Sequence, residues 1–508
     1  MTEEKTTEMI EAERYLRQKM LWGDEGQNKL ANARVAIVGL DWQGKYTALC
    51  LAALGVGNVV LIDGSDADGS NVRKGTTAKS ELFLDMVVKS GSRAKSYPEL
   101  LKVINQQVNF EGYTTNLESR MDLMALEGAT VIVDATNSIK SKSLAIAYGR
   151  EKGIPVISTS SKWGYTKLMA TDHNRDLGAQ NTEMLMPMFE GYKQDSLMAL
   201  MMCGVIAEEV KKVAMGNFDK FLEKPVRYKL GPGYRYGFLE KGEDVPLPDK
   251  ALLARLKLGF LGVGALGNWG AIAASHMGFG RVDTFDYDKF ESHNVNRQLL
   301  AYDGIDKLKS EHIAAKIVAM TLGRTRSTGY NELILPGFET KEKYDLVFDF
   351  VDNRYTRALN CAYAISTGTP LISSGALPDS ARWDTHQEGK TQCMNHLMDI
   401  YKEGMKEEMI RRASCAANPN PSVVMSNAVG GVGAVIAALS VFEPEKFGEP
   451  FNGQLMYRAD LSTRFGTSEL VGACDCYSKP VPDLRISQKD IDKFVAKNPQ
   501  LLQQTGTE

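Results

Sequence analysis

Residues 258–309 read LGFLGVGALGNWGAIAASHMGFGRVDTFDYDKFESHNVNRQLLAYDGIDKLK. A short apolar run ends in Gly262-Val-Gly264-Ala-Leu-Gly267, a helical segment follows, and a second apolar run ends at Asp286-Tyr-Asp288. Asn294-Val-Asn-Arg297-Gln298 comes next, and Lys309 closes the stretch. This order predicts strand, glycine turn, helix and strand, with charged groups at the carboxyl edge of the strands. Such a unit holds a nucleotide phosphate against backbone N–H groups at a helix N-terminus.

The same pattern occurs once upstream. Val35-Ala-Ile-Val-Gly39-Leu-Asp41-Trp-Gln-Gly44 is followed by an apolar run ending at Asp63 and then by Asn71; Gly39 and Gly262, Asp63 and Asp286, and Asn71 and Asn294 are each 223 residues apart. VIVDATN (131–137) matches LVFDFVDN (346–353), and GIPVIS (153–158) matches GTPLIS (368–373), at an offset of 215. Arg235-Tyr-Gly237 matches Arg464-Phe-Gly466 at 229. Matches in one order at a domain-sized offset indicate tandem domains. Repeat one is expected over 12–245 and repeat two over 250–478, with a proline-containing linker at 240–249 and a polar tail, 479–508, that carries one short helix. Strand-like runs alternate with helical segments in both, which predicts an α/β fold: two Rossmann-like repeats with mostly parallel sheets, packed like the halves of a dimer.

The repeats differ where chemistry is expected. Asp41 stands where repeat two has Gly264, and a carboxylate there would repel a phosphate. Ser65 replaces Asp288, Lys74-Gly75 replaces Arg297-Gln298, and Asn137-Ser138 replaces Asp352-Asn353. Asp→Asn removes a charge that Mg²⁺ would need. One working nucleotide site, in repeat two, beside a degenerate copy is the simplest reading; nucleotide binding by both halves is the alternative.

Composition excludes several classes. A net charge of −3 without a Lys/Arg block argues against nucleic acid. The polar, acidic start is not a signal peptide, and no apolar run reaches the ~20 residues of a membrane span. The seven cysteines are too few for a disulfide scaffold, and five follow residue 360. In a cytoplasmic chain such clustering points to metal or chemistry.

The ordered set G-x-G-x-x-G, D-x-D, N-x-x-R-Q, Lys and D-x-x-D-N resembles the adenylation domain of ubiquitin-activating enzymes and their bacterial relatives MoeB and ThiF. The N-terminal Arg14-Tyr-Leu-Arg17-Gln18 arm is similar to the opening segment of the eukaryotic enzymes, and the resemblance covers about 14–478. It implies ATP-dependent adenylation of a carboxylate, usually the C-terminal glycine of a ubiquitin-like or sulfur-carrier protein. Asp288 would then hold the ribose, Arg297 and Lys309 the phosphates and Asp352 Mg²⁺. Asn294, Gln298 and Asn353 would support the pocket beside Gly262, Gly264 and Gly267. Arg17 would reach from repeat one into the site of repeat two, which has no such arm of its own. The single chain therefore supplies one such Arg and one intact pocket, an intrachain pseudo-dimer compatible with a monomer.

MoeB-like proteins close this region with a zinc held by two CxxC pairs. Cys393, His396, Cys474 and Cys476 offer CxxH and CxC instead, and both are acceptable zinc ligand sets; buried or free thiols are the alternative. Cys415, preceded by Arg411 and Arg412, has a position similar to that of the loop cysteine that can form covalent links in this superfamily. It is a candidate nucleophile for a thioester or persulfide, or a zinc ligand in place of His396. Cys361 and the Met-rich stretch 181–204 read as core, partner binding being the alternative for the latter. A peptide or small-molecule carboxylate is an alternative substrate. An NAD-dependent dehydrogenase fits the glycine turn but leaves Arg297, Lys309 and Asp352 unexplained. A non-catalytic nucleotide-binding scaffold is the third class.

Overall fold

The computed structural model describes residues 11, 13–67, 81–88, 91–172, 190–231, 244–414 and 421–498. Repeat one supplies β1 (Arg34–Val38), β2 (Asn58–Ile62), a hairpin of β3 (Glu81–Phe83) and β4 (Met86–Val88), β5 (Asn109–Tyr113), β6 (Val131–Asp134), β7 (Val156–Lys162), β8 (Tyr165–Thr171) and β9 (Val226–Lys229). Its sheet runs β5-β2-β1-β6-β7-β8-β9, parallel as far as β7 and antiparallel beyond. Repeat two supplies β10 (Lys257–Leu261), β11 (Arg281–Phe285), β12 (Gly329–Tyr330), β13 (Leu346–Asp349), β14 (Leu371–Leu377), β15 (Ser380–His386), β16 (Gly453–Arg458) and β17 (Phe465–Glu469). Its order, β12-β11-β10-β13-β14-β15-β16-β17, repeats the first sheet strand for strand, with β17 beyond at the edge, where the matching residues of repeat one lie outside the described ones.

The central strands β1 and β10 are buried along all but their first residue. Covered on both faces, they carry continuous rather than alternating apolar sequence. Leu261 pairs with Phe285 on one side and Asp349 on the other. That register sets Gly262, Asp286 and the loop after Asp349 side by side at the carboxyl edge, where the strand order reverses and ligands bind in such sheets. Val38, Ile62 and Asp134 do the same in repeat one.

The repeats face each other through helices Ser196–Met215 and Val424–Phe442, which pack closely enough that a Cβ on Gly204 would sit 2.4 Å from the Met425 carbonyl oxygen. Val424–Phe442 is 19 residues long and apolar enough to cross a membrane, which corrects the expectation that no run approaches that length. It is a core helix, buried over 94% of that window between the two sheets. Met198, Met201 and Met202 lie fully buried on the facing helix, so this part of the Met-rich stretch fills core; 181–189 fall outside the described residues.

Polar contacts also cross the interface. Glu209 binds Lys212 (2.9 Å) in its own helix and Arg464 (2.9 Å) in repeat two, all three nearly solvent-free. The β3–β4 hairpin puts Asp85 between Lys316 Nζ (2.7 Å) and Tyr302 OH (2.8 Å) of repeat two. Residues 479–498 are docked: Leu484, Ile486 and Ile491 are buried against repeat two, and helix Gln488–Lys497 forms with Ser487 as its N-cap.

Candidate nucleotide site

The glycine turn between β10 and helix Ala265–Met277 has three distinct demands. Gly262 takes φ +87°, and a Cβ there would press on Val351 and Phe350. A Cβ on Gly267 would lie 2.7 Å from the Gly262 carbonyl oxygen, so that glycine permits close turn–helix packing. A Cβ on Gly264 would meet nothing within 4 Å. Gly264 is the N-cap, and no side chain caps the helix. Among the described residues no side chain takes its first N–H groups, which makes them a ready anion site.

Asp286 braces the turn. Its Oδ2 accepts from Val263 N (2.9 Å) and its Oδ1 from Asp288 N (2.9 Å). Burial pushes its carboxyl up, against the opposing pull of Lys309 and these two N–H groups. Asp288 points out and pairs with Lys309 Nζ at 3.1 Å; Lys309 begins helix Lys309–Met320 and is mostly buried.

Segment 291–298 brings in the arginines. Arg297 is buried and spends Nη1 on the His293 carbonyl (2.6 Å) and Asn296 Oδ1 (3.0 Å). Burial, reinforced by the charge of Arg17, pushes its guanidinium down to about 10. A buried cation beside a second cation is an arrangement that an anion would relieve. Arg17 comes from the other repeat, with Nη2 3.5 Å from His293 Nε2. Next to it Gln18 Oε1 accepts from Asn296 Nδ2 (3.0 Å). Asn294 closes a reciprocal cap with Glu291, and Gln298 Oε1 is buried and accepts no hydrogen bond.

Asp352 is exposed on the loop after β13, close enough to act electrostatically on Arg297 and on Tyr287, which stands between the two site aspartates. Asn353 uses Oδ1 to cap helix Arg354–Thr367 through Thr356 N (2.7 Å). Beneath this loop Asp349 is buried and bound by Arg357 (2.8 Å), Ser373 (2.8 Å) and Asn360 (2.8 Å). The second offset pairs Asp349, Arg357 and Ser373 with Asp134, Lys142 and Ser158, which form the equivalent network in repeat one, while Asn360 aligns with Ala145. Arg357, His293 and Asn296 were missed by motif reasoning, though comparison of the repeats at 215 exposes the first.

Repeat one shows what closes such a site. Asp41 occupies the Gly264 position, its carboxyl pushed up by burial and faced by Arg93 and Lys45. Lys45 lies 3.8 Å over the Trp42 ring. Gln194 Oε1 accepts from Gln43 N (2.8 Å), so a helix donor left open in repeat two is taken by a side chain here. Asn137, matching Asp352, is stitched to Ser161 O (2.9 Å) and Tyr192 O (3.0 Å). Asn71 and Lys74 lie outside the described residues.

Away from this edge, Cys393, His396, Cys474 and Cys476 place one ligand atom each within 4.8 Å of one another. His396 Nδ1 is 3.3 Å from Cys476 Sγ and 3.6 Å from Cys393 Sγ, and Cys474 Sγ accepts from Cys393 N (3.1 Å). Ligand atoms around a tetrahedral zinc lie roughly 3.3–3.8 Å apart, so the set fits that ion with small adjustment. Cys361 is buried core beside it. Cys415 lies outside the described residues; Arg411 and Arg412, just before it, are both held by Glu408 (2.6 and 2.8 Å).

Two doubly wound α/β domains, one with an open glycine turn and one with a filled one, define the architecture. The chain belongs to the ThiF family, whose model matches residues 15–229 and again 242–459. It is 25% identical over 270 residues to the adenylyltransferase and sulfurtransferase MOCS3-1 of Zea mays, covering 51% of this chain and 54% of that one. Over 147 residues it is 28% identical to the sulfur carrier protein ThiS adenylyltransferase of Bacillus subtilis (28% and 42% covered). Over 179 residues it is 28% identical to the NEDD8-activating enzyme E1 regulatory subunit of Danio rerio (34% and 32% covered). The chain thus spans about half the length, or less, of these relatives. Among solved structures, E. coli MccB with ATP aligns at a TM-score of 0.37 with 18% identity, covering 45% of this chain and 67% of that one.

Proposed function

We infer that repeat two adenylates a carboxylate with ATP, most readily the C-terminal glycine of a ubiquitin-like or sulfur-carrier protein, in the cytoplasm. The observation that carries this is the uncapped helix N-terminus at Gly264 on a carboxyl edge that also gathers Arg297, Lys309 and, from the other repeat, Arg17. Three cations and an open helix dipole suit a triphosphate better than the two phosphates of a dinucleotide. The named activities of the maize and Bacillus relatives point the same way.

The chemistry asks little of the protein. A carboxylate is already ionised, so one of its oxygens attacks the α-phosphorus without a general base. The bond to the β-phosphate oxygen breaks, and pyrophosphate leaves with the electron pair. Catalysis then rests on alignment and charge stabilisation. In our reading Gly264 admits the phosphates to the helix N–H groups, Arg17, Arg297 and Lys309 meet the developing charge, and Asp288 turns to the ribose. Asp352 would hold Mg²⁺, which supplies counter-charge when bound. Cys393, His396, Cys474 and Cys476 would hold a zinc that ties the β16–β17 end to the body of repeat two. In a later step the Cys415 thiolate would attack the acyl adenylate to form a thioester, with AMP leaving, or take the outer sulfur of a donor persulfide, whose thiolate leaves.

ATP–pyrophosphate exchange with candidate carboxylates tests this. Asp352→Ala and Arg17→Ala are each expected to lower exchange about 10²–10³-fold, the usual cost of deleting a charge-stabilising group. Exchange at the parental rate in either variant defeats the site assignment. Binding of NADH without ATP defeats the class.

A further inference from the structure

Neither the glycine turn nor the arginines explain how an arm from repeat one is kept in the site of repeat two. Two side chains of segment 291–298 do so. Asn296 takes Gln18 Oε1 on its Nδ2 and Arg297 Nη1 on its Oδ1, at 3.0 Å each. His293 stands between Arg17 and Glu291: its Nε2 is 3.5 Å from Arg17 Nη2, and its Nδ1 is 3.1 Å from a Glu291 carboxylate oxygen. Its carbonyl accepts from Arg297. One residue thus touches both arginines.

We propose that His293 is a positioning residue that holds Arg17 in the nucleotide site, working as a neutral imidazole that accepts at Nε2 from Arg17 while its protonated Nδ1 lies beside the Glu291 carboxylate. The tautomer follows from the partners. Arg17 can only donate, so Nε2 must present its lone pair, which leaves the ring proton of the neutral imidazole on Nδ1. The proposal deepens the adenylation reading and rests on it for the identity of the nucleotide.

A proton on Nε2 would remove that acceptor and set a cation against Arg17. The groups facing the ring are Arg17 from the N-terminal arm, Arg297 and Glu291 from its own segment, and Lys309 from the next helix. Burial first, then the nearby Arg297, holds the imidazole below its ordinary value, with Glu291 opposing. The ring is therefore neutral near pH 7, and the arm is released only as pH falls through that lowered value.

Two measurements test this. The first is the affinity for a fluorescent ATP analogue at about pH 7.5 and about pH 5.5, the range over which an imidazole charges. The parent should lose several-fold more affinity on acidification than Arg17→Ala or His293→Asn, in which the pH-dependent contact is gone. Equal losses in parent and Arg17→Ala overturn the proposal. The second is the imidazole titration by NMR with ¹³C-labelled histidine; the chain has six histidines, and His293→Asn assigns the signal. The His293 midpoint should rise in Arg17→Ala, and an unchanged midpoint overturns the contact. If the parent binds no ATP at either pH, the adenylation reading falls, while the titration still decides whether His293 senses Arg17.

Discussion

Gly264 and Asp41 occupy one position in two copies of the same turn, and the difference between them is the sharpest local contrast between the repeats. Asp is a favourable N-cap, Gly264 has a negative φ, and a Cβ there meets open space. Gly264→Asp should therefore fold normally, with a melting temperature equal to or slightly above the parent, yet bind ATP at least about 100-fold more weakly, because a carboxylate replaces the anion on the helix axis. A titration of ATP binding beside a thermal melt checks both halves of the statement; unchanged affinity would remove Gly264 from the site. Asp41→Gly should not open repeat one, since Gln194 still takes the Gln43 N–H and Asn137 is still tied to backbone. The glycine set and Asp41 were legible in the sequence because spacing alone identifies a turn. His293 and Asn296 were not, because a loop side chain joining two domains leaves no periodicity.

Secondary elements repeat more faithfully than single residues. Each half seats an aspartate at the end of its fourth sheet strand under the site loop and neutralises it from the following helix, with Lys142 in one and Arg357 in the other. Arg357→Leu leaves Asp349 buried without its cation and should cost about 3–5 kcal/mol in denaturant unfolding. Arg357→Lys, which copies repeat one, should cost clearly less; equal losses would mean that packing rather than charge is at stake. The cysteine–histidine cluster joins the helix after Cys393 to the segment after β17. Cys474→Ser should lower bound zinc to well below one per chain and reduce the melting temperature, and chelation should have no further effect on the variant. The alternation of strands and helices in each half followed from the aligned runs. The β3–β4 hairpin did not, because the internal comparison gives no partner for it; the counterpart of β17, matched at the offset of 229, lies outside the described residues.

At the scale of the molecule the two halves are joined by apolar helices and by a few buried charges. Glu209 is the centre of one such set, bound by Lys212 and by Arg464 across the interface. Glu209→Ala strands both cations and should destabilise the chain by about 3–5 kcal/mol. It should also split a single unfolding transition into two, read by differential scanning calorimetry; one intact transition would show that the helix pair suffices. The sequence announced a pair of domains but not this interface, since Val424–Phe442 carries no polar face to say what covers it. The reach of Arg17 into repeat two has a final consequence. In an assembly of separate subunits, an arm lent by a neighbour is lost on dilution. Here lender and borrower are one polypeptide, so the arm's effective concentration is set by chain geometry and not by how much protein is present. Specific activity should stay constant down to the lowest enzyme concentrations that can be assayed, and no excess of inactive copies could poison a working one by exchanging partners.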